Sequence, residues 1–126
     1  VSELANRLRK IQEQGMSLRD LEEKSRIDGT IMASKSAIRE VINDPSRKPR
    51  ITTLLGIAKA LDLPLWQVIA MAGYDLGLPE ESQTWTELQA LAQRDNDARL
   101  LLDLLLKASE EDRKAVLNYL RVRSPA

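Results

Sequence analysis

The apolar residues of this chain recur at helical spacing, and the recurrence is broken at short intervals by residues that stop helices. Gly15, Asp28-Gly29, Asp44-Pro45, Pro64 and Gly73 are the breaks. A glycine just past a helix end closes it, and a residue before proline is pushed out of the α region. A chain punctuated this way is expected to fold as short helices that bury their stripes against one another. β-branched residues never alternate over a strand length, so the expected class is all-α.

The spacing predicts a first helix over 2–14, with Leu4, Leu8 and Ile11 inward and Gly15 closing it. A second opens at Ser17, a capping residue, with Leu18 and Leu21 inward. Asp20 falls in its first turn, where the helix dipole favours a carboxylate. A third opens at Ser34 and stops at Asp44. Between them Asp28-Gly29 signals a turn, and Ile31 and Met32 are expected to fold back onto the core. A fourth helix over 52–61 buries Leu54, Ile57, Ala58 and Leu61. A fifth follows Pro64 over 65–72 with Trp66, Val68 and Ile69.

Residues 74–83 have no period and read as a linker. Thr84, with Glu87 three residues later, forms a capping-box pattern and opens a helix carrying Leu88, Leu91 and Ala92. Asp95-Asn96-Asp97 interrupts, and a helix over 98–108 follows. A last helix, capped by Ser109, carries Val116, Leu117 and Leu120. The expected organisation is a five-helix domain over 1–73, a linker over 74–83 and a smaller helical region over 84–126.

The chain has no cysteine and no histidine. The first absence removes disulfides and zinc-thiolate sites, as expected in a reducing cytoplasm. The second removes the commonest general base and transition-metal ligand. The paired acids Glu22-Glu23, Glu80-Glu81 and Glu110-Glu111 read as helix-surface or helix-start charges, so neither an enzyme nor a bound cofactor or metal is expected. No stretch approaches the ~18–20 apolar residues that cross a bilayer, and none reads as a signal peptide.

Net charge is zero, but it is unevenly spread. Residues 1–74 carry 12 Lys/Arg against 9 Asp/Glu, and 75–126 carry 7 against 10. The whole basic excess of the first part sits within 34–50, with five basic and two acidic residues. A local basic patch on a neutral chain is sufficient for phosphate contact.

The helix after Ser34 lies in that patch. Ile38, Val41 and Ile42 make one narrow apolar edge, and Lys35, Ser36, Arg39, Glu40 and Asn43 populate the wet side. Lys and Arg donate to guanine edges, Ser and Asn serve either way, and Glu accepts from cytosine, so this face has the chemistry to enter a DNA major groove. Taken alone, the segment fits an ordinary amphipathic surface helix better.

The surrounding residues resemble the helix-turn-helix family of Cro and the lambdoid phage repressors (XRE). Met16-Ser17-Leu18-Arg19-Asp20-Leu21-Glu22 is similar to the family's second helix, and Ser34 and Ile38 to the cap and core anchor of its recognition helix. The most specific match is Thr53-Leu54-Leu55-Gly56-Ile57-Ala58-Lys59-Ala60-Leu61-Asp62-Leu63. Leu65–Gly73 looks like the closing helix, and the likeness covers residues 2–73. Leu18 stands where the family has a phosphate-binding Gln, and Glu22 where it has a small residue. The residues 27–33 replace a turn of about four.

The resemblance implies a lambda-repressor-like domain that binds double-stranded DNA. Lys35, Ser36 and Glu40 correspond to base-reading positions, with Arg39 beside them. Ser17, Arg19, Asn43, Arg47 and Lys48 would meet the backbone, and Arg50 the backbone or the minor groove. A homodimeric repressor reading a palindrome in a prokaryotic cytoplasm or phage-infected cell is the expected function. The leucine-rich run gives a candidate interface of Leu100, Leu101, Leu104 and Leu105, joined by Val116 and Leu120. The alternative is an antitoxin-like module whose residues 84–126 bind another protein.

Overall fold

The computed structural model describes residues 3–44, 49–74, 83–109 and 111–115. In chain order it has α1 (Glu3–Glu13), α2 (Leu18–Lys24), β1 (Arg26–Ile27), β2 (Thr30–Ile31), α3 (Lys35–Asn43), α4 (Ile51–Leu61), α5 (Leu65–Met71), α6 (Gln83–Arg94) and α7 (Asn96–Lys107). Residues 111–115 form a further helical turn. The protein is mostly helical, as the periodicity predicts. Among the described residues no single helix is long and apolar enough to cross a membrane, and the most apolar pair, α4 and α5, meet at a bend of 114°.

The helix ends follow the punctuation closely. Gly15 sits at φ 104°, its N–H bonds Gln12 O, and the Met16 N–H reaches back to Ile11 O at 3.3 Å. That paired closure satisfies two carbonyls that α1 would leave open, and it needs a left-handed residue at its centre. Asp62 closes α4 the same way at φ 55°, a conformation Asp tolerates better than most side chains.

Three local expectations are corrected. The stretch between α2 and α3 is a miniature antiparallel hairpin, with Arg26 opposite Ile31 and Ile27 opposite Thr30. Asp28 and Gly29, at φ 49° and 81°, form its two-residue turn. Two residues per strand are too few for an alternating pattern to register in the sequence. The helix expected from Thr84 begins at Gln83. The helix expected from residue 98 begins at Asn96, because the Asp95 carboxylate accepts from the Asp97 and Ala98 amides and makes its neighbours the first turn.

One polar side chain closes the hairpin onto the core. Ser25 is fully buried; its hydroxyl donates to Glu22 O at 2.7 Å and accepts from the Ala33 N–H at 3.1 Å. The bond draws Met32 and Ala33 inward against α4, so Met32 does fold back as expected. There the two backbones nearly touch: a Cβ on Gly56 would lie 2.6 Å from Ala33 N and 2.7 Å from its Cβ.

All the helices contribute to one core. Leu4 and Leu8 of α1, Leu21 of α2, Ile38 of α3, Leu54 and Leu55 of α4 and Ile69 of α5 lie in the same buried cluster as Trp85 and Ala92 of α6 and Leu102, Leu105 and Leu106 of α7. α7 packs on α4 and α6 on α5. The C-terminal helices thus extend the core of the first five instead of building one of their own. Residues 75–82, most of the expected linker, lie outside the described residues.

Gly56→Ala tests the closest contact in this core. On an open helix face the change would stabilise by about 1 kcal/mol through helix propensity. Here Ala33 must move, and overpacking of about 1–3 kcal/mol outweighs that gain. The expected result is a lower thermal midpoint; an unchanged or raised one would refute the close approach.

Candidate nucleic-acid interface

The candidate surface is built on α3 because its sequence divides cleanly into two sides. Ile38, Val41 and Ile42 are buried, whereas Ser36, Arg39, Glu40 and Asn43 are exposed. The exposed four fall at positions i, i+3, i+4 and i+7, so they share one face. Lys35 is half-buried at its N-terminal edge. Ser34 caps the helix as expected, its Oγ accepting from the Ala37 N–H at 3.1 Å.

Both ends of α3 are held by charged side chains from other helices. The Glu22 carboxylate, from α2, accepts from the Lys35 backbone N–H at 2.8 Å. The Arg9 guanidinium, from α1, donates to Ile42 O at 2.7 Å. A negative charge at a helix N-terminus and a positive one at its C-terminus both match the helix dipole. Glu22, which stands where a small residue is usual in the resembled family, has a backbone partner for its half-buried carboxylate. Neither partnership is legible from residue spacing, because each joins separate elements.

α2 packs against α3 and carries Ser17 and Arg19 at its exposed start. Ser17 Oγ accepts from the Asp20 N–H at 3.1 Å and Asp20 Oδ2 accepts from the Ser17 N–H at 3.0 Å, a complete capping box. The backbone bond from Ser17, followed by its hydroxyl, lowers the Asp20 pKa below its ordinary value. The Ser17 amide, spent on Asp20, is unavailable for a phosphate. Leu18 turns partly into the core, and Arg19 is exposed.

Arg50 is exposed at the start of α4. Arg47 and Lys48 lie outside the described residues, as do Val116 and Leu120. The ion pair found among the described residues joins Arg26 of the hairpin to Glu23 of α2, and among those residues the cations of Lys35, Arg39, Arg19 and Arg50 are out of such pairing. Among the described residues no three His, Cys, Asp or Glu side chains gather as a metal site. An open depression of about 880 Å3 lies between α1, α2 and α4, lined by Ile11, Met16, Asp20, Glu23, Lys24 and Leu61 among others, with no residue of α3 in its wall.

The expected interface between copies divides in two. Leu100, Leu101 and Leu104 are exposed at 55%, 39% and 67%, and Leu91 of α6 at 41%. Leu105 is corrected: it is 1% exposed and buried within the chain itself. Its offset from Leu102 and Leu106 places it on the inner face of α7, toward α4 and α6.

Sequence reading missed three polar residues outside α3. Asp103 Oδ1 accepts from the Ile51 N–H at 2.7 Å, Gln89 Oε1 accepts from the Leu65 N–H at 3.0 Å, and the Tyr74 hydroxyl donates to Pro49 O at 3.1 Å. A signal for the first two was present. Arg50 and Pro64 precede α4 and α5 and offer no side-chain acceptor, and the first amides of those helices have none within their own helix.

No protein-family model, no curated protein and no solved structure matches this chain.

If Glu22 holds the start of α3, Glu22→Ala should lower stability by about 1–2 kcal/mol, the usual worth of a lost helix cap. Glu22→Gln, which keeps an acceptor oxygen, should lose less than half of that. Urea unfolding measures both, with an unchanged slope expected; equal losses would mean that charge, not the hydrogen bond, is what α3 requires.

Proposed function

We propose that this protein is a sequence-specific double-stranded DNA-binding regulator, acting as a dimeric repressor with α3 in the major groove. The observation that carries the reading is α3 itself: a short helix with an exposed polar face and both ends tied to neighbouring helices. Such a helix meets DNA already oriented, so little ordering entropy opposes binding. The resemblance of residues 2–73 to the Cro and lambdoid repressor helix-turn-helix family supports the same assignment. In that scheme α2 and α3 are the paired helices, and the hairpin takes the place of the family's short turn.

Lys35, Ser36, Arg39 and Glu40 then face base edges. Ser17, Arg19, Asn43, Arg47, Lys48 and Arg50 meet the sugar-phosphate backbone, with Arg50 placed to enter a narrow minor groove. The expected absence of cofactor and of catalytic chemistry belongs to the same proposal. Repression follows by occlusion, since a short bound chain covers its site without needing a ligand domain.

Selection from random duplexes, followed by binding at several salt concentrations, tests this directly. Lys35→Ala should lose about 1–3 kcal/mol of discrimination at one base pair. Arg19→Ala should weaken all sequences alike and flatten the log–log salt dependence by about one unit. Two variants that bind as the wild type would place the surface elsewhere.

A second copy of the chain is the proposed occupant of the leucines left outside on α7 and α6. One short helix reads a few base pairs, whereas two related by a two-fold axis read half-sites about 34 Å apart. Light scattering at micromolar concentration should give twice the chain mass, and Leu104→Glu, at the most exposed of these leucines, should give monomers that bind a palindrome weakly. A monomeric wild type overturns the pairing. The alternative, an antitoxin-like module, is favoured instead if that face holds a different protein in a fixed ratio and Leu104→Glu releases it.

A further inference from the structure

Backbone groups on three consecutive residues, 49–51, are bonded, two of them to side chains from distant parts of the chain. Pro49 O accepts the Tyr74 hydroxyl at 3.1 Å, from the residue that follows the closing glycine of α5. Arg50 O accepts the Leu54 N–H at 3.1 Å and so starts α4. The Ile51 N–H donates to Asp103 Oδ1 at 2.7 Å, from the middle of α7. Ile51 is fully buried, and Tyr74 is 6% exposed.

The Arg50 side chain is left out of this arrangement. It makes no capping bond to α4, and it is exposed. The result is an exposed guanidinium on a backbone bonded immediately before and after it. A capping side chain at this position would accept from the second or third amide of α4 and leave the Ile51 amide, the first, without a partner. Asp103 supplies that acceptor from α7, and position 50 carries a cation in place of a cap.

We infer that Tyr74 and Asp103 are positioning residues for Arg50, fixing the backbone from which it reaches a nucleic-acid phosphate or groove edge. The inference rests on the DNA-binding reading above and adds to it a role for the C-terminal helices. Neither residue touches DNA: the Tyr74 ring is buried, and the near oxygen of Asp103 is occupied by the Ile51 amide. The hydroxyl remains a donor across the working pH range. Burial first, and the nearby Asp103 carboxylate second, raise the Tyr74 pKa above its ordinary value. Two restraints on either side of one residue act on its direction as well as its position. An 11-residue helix starting at Ile51 transmits any tilt at its first turn to the side chain before it.

A double-mutant cycle separates this role from general stabilisation, because residues acting through one another lose their effect when the shared partner is removed. Binding of the selected duplex is measured for the full chain, for Tyr74→Phe, for Asp103→Ala and for Arg50→Ala, and for each of the first two combined with Arg50→Ala. Tyr74→Phe and Asp103→Ala should each weaken binding by roughly three- to tenfold, and by less than about twofold once Arg50 is alanine. Asp103→Asn, which keeps an acceptor oxygen for Ile51, should restore binding to near the wild-type level. Tyr74→Phe keeps the buried ring and carries the cycle if Asp103→Ala fails to fold.

Equal fold-losses in the presence and absence of Arg50 would overturn the inference, assigning both residues to stability alone. An Arg50→Ala variant that binds as the wild type would also overturn it, while leaving the α3 reading intact. A wild-type chain that selects no duplex would remove the DNA-binding reading itself, and the inference with it.

Discussion

The first amide of a helix has no carbonyl within its own helix to bond, and in three of the described helices that donor is satisfied by a side chain from another helix. Glu22 of α2 serves α3, Asp103 of α7 serves α4, and Gln89 of α6 serves α5. Each acceptor is half-buried, where an unpaired polar group would cost about 1–3 kcal/mol. Hydrophobic contact is non-directional and tolerates sliding; these bonds do not. Burial therefore supplies most of the stability, and the three caps select which arrangement of the helices is stabilised.

α3 shows how the two kinds of force divide the work. At nine residues it is shorter than the ~12–15 that hold a helix in water, so it exists because Ile38, Val41 and Ile42 are buried. Each such side chain contributes about 1.5–3 kcal/mol on burial, against about 0.3–1 kcal/mol for a charge near a helix end. Apolar contact wins on energy by a wide margin. It leaves rotation about the buried stripe and translation along it weakly opposed. Glu22 at one end and Arg9 at the other oppose both motions, so the outer face carrying Ser36, Arg39, Glu40 and Asn43 keeps a fixed aspect.

What was legible in the sequence was local. Helix existence, the caps Ser17 and Ser34, the closures at Gly15 and Gly73 and the buried stripe of α3 all follow from a few neighbouring residues, and the structure has each of them. The polar face of α3 was legible for the same reason. What was not legible joins residues far apart in sequence. Glu22 is an unfavourable residue for a buried helix contact until its partner, the Lys35 amide, is known. The leucines of residues 100–106 signal burial on more than one side, but their composition cannot say that Leu102, Leu105 and Leu106 turn inward and Leu100, Leu101 and Leu104 outward. The hairpin at 26–31 is too short for its strands to leave a pattern, although its Asp28-Gly29 turn did.

α7 explains why a core that could have closed with five helices takes in two more. One side of it fills the core through Leu102, Leu105 and Leu106; a second presents leucines to the outside. Asp103 lies between these sides and reaches the start of α4. A charged residue in the middle of a leucine run is costly wherever it lacks a partner. Here the Ile51 amide is that partner, and as the first amide of α4 it needs an acceptor from outside the helix. Each requirement resolves the other. The first amide of α4 is satisfied because α7 is present, and Asp103 is tolerated in α7 because that amide meets its carboxylate. Within the proposed function, the helix that offers a surface to a second copy is therefore the one that fixes the backbone of a cation assigned to DNA.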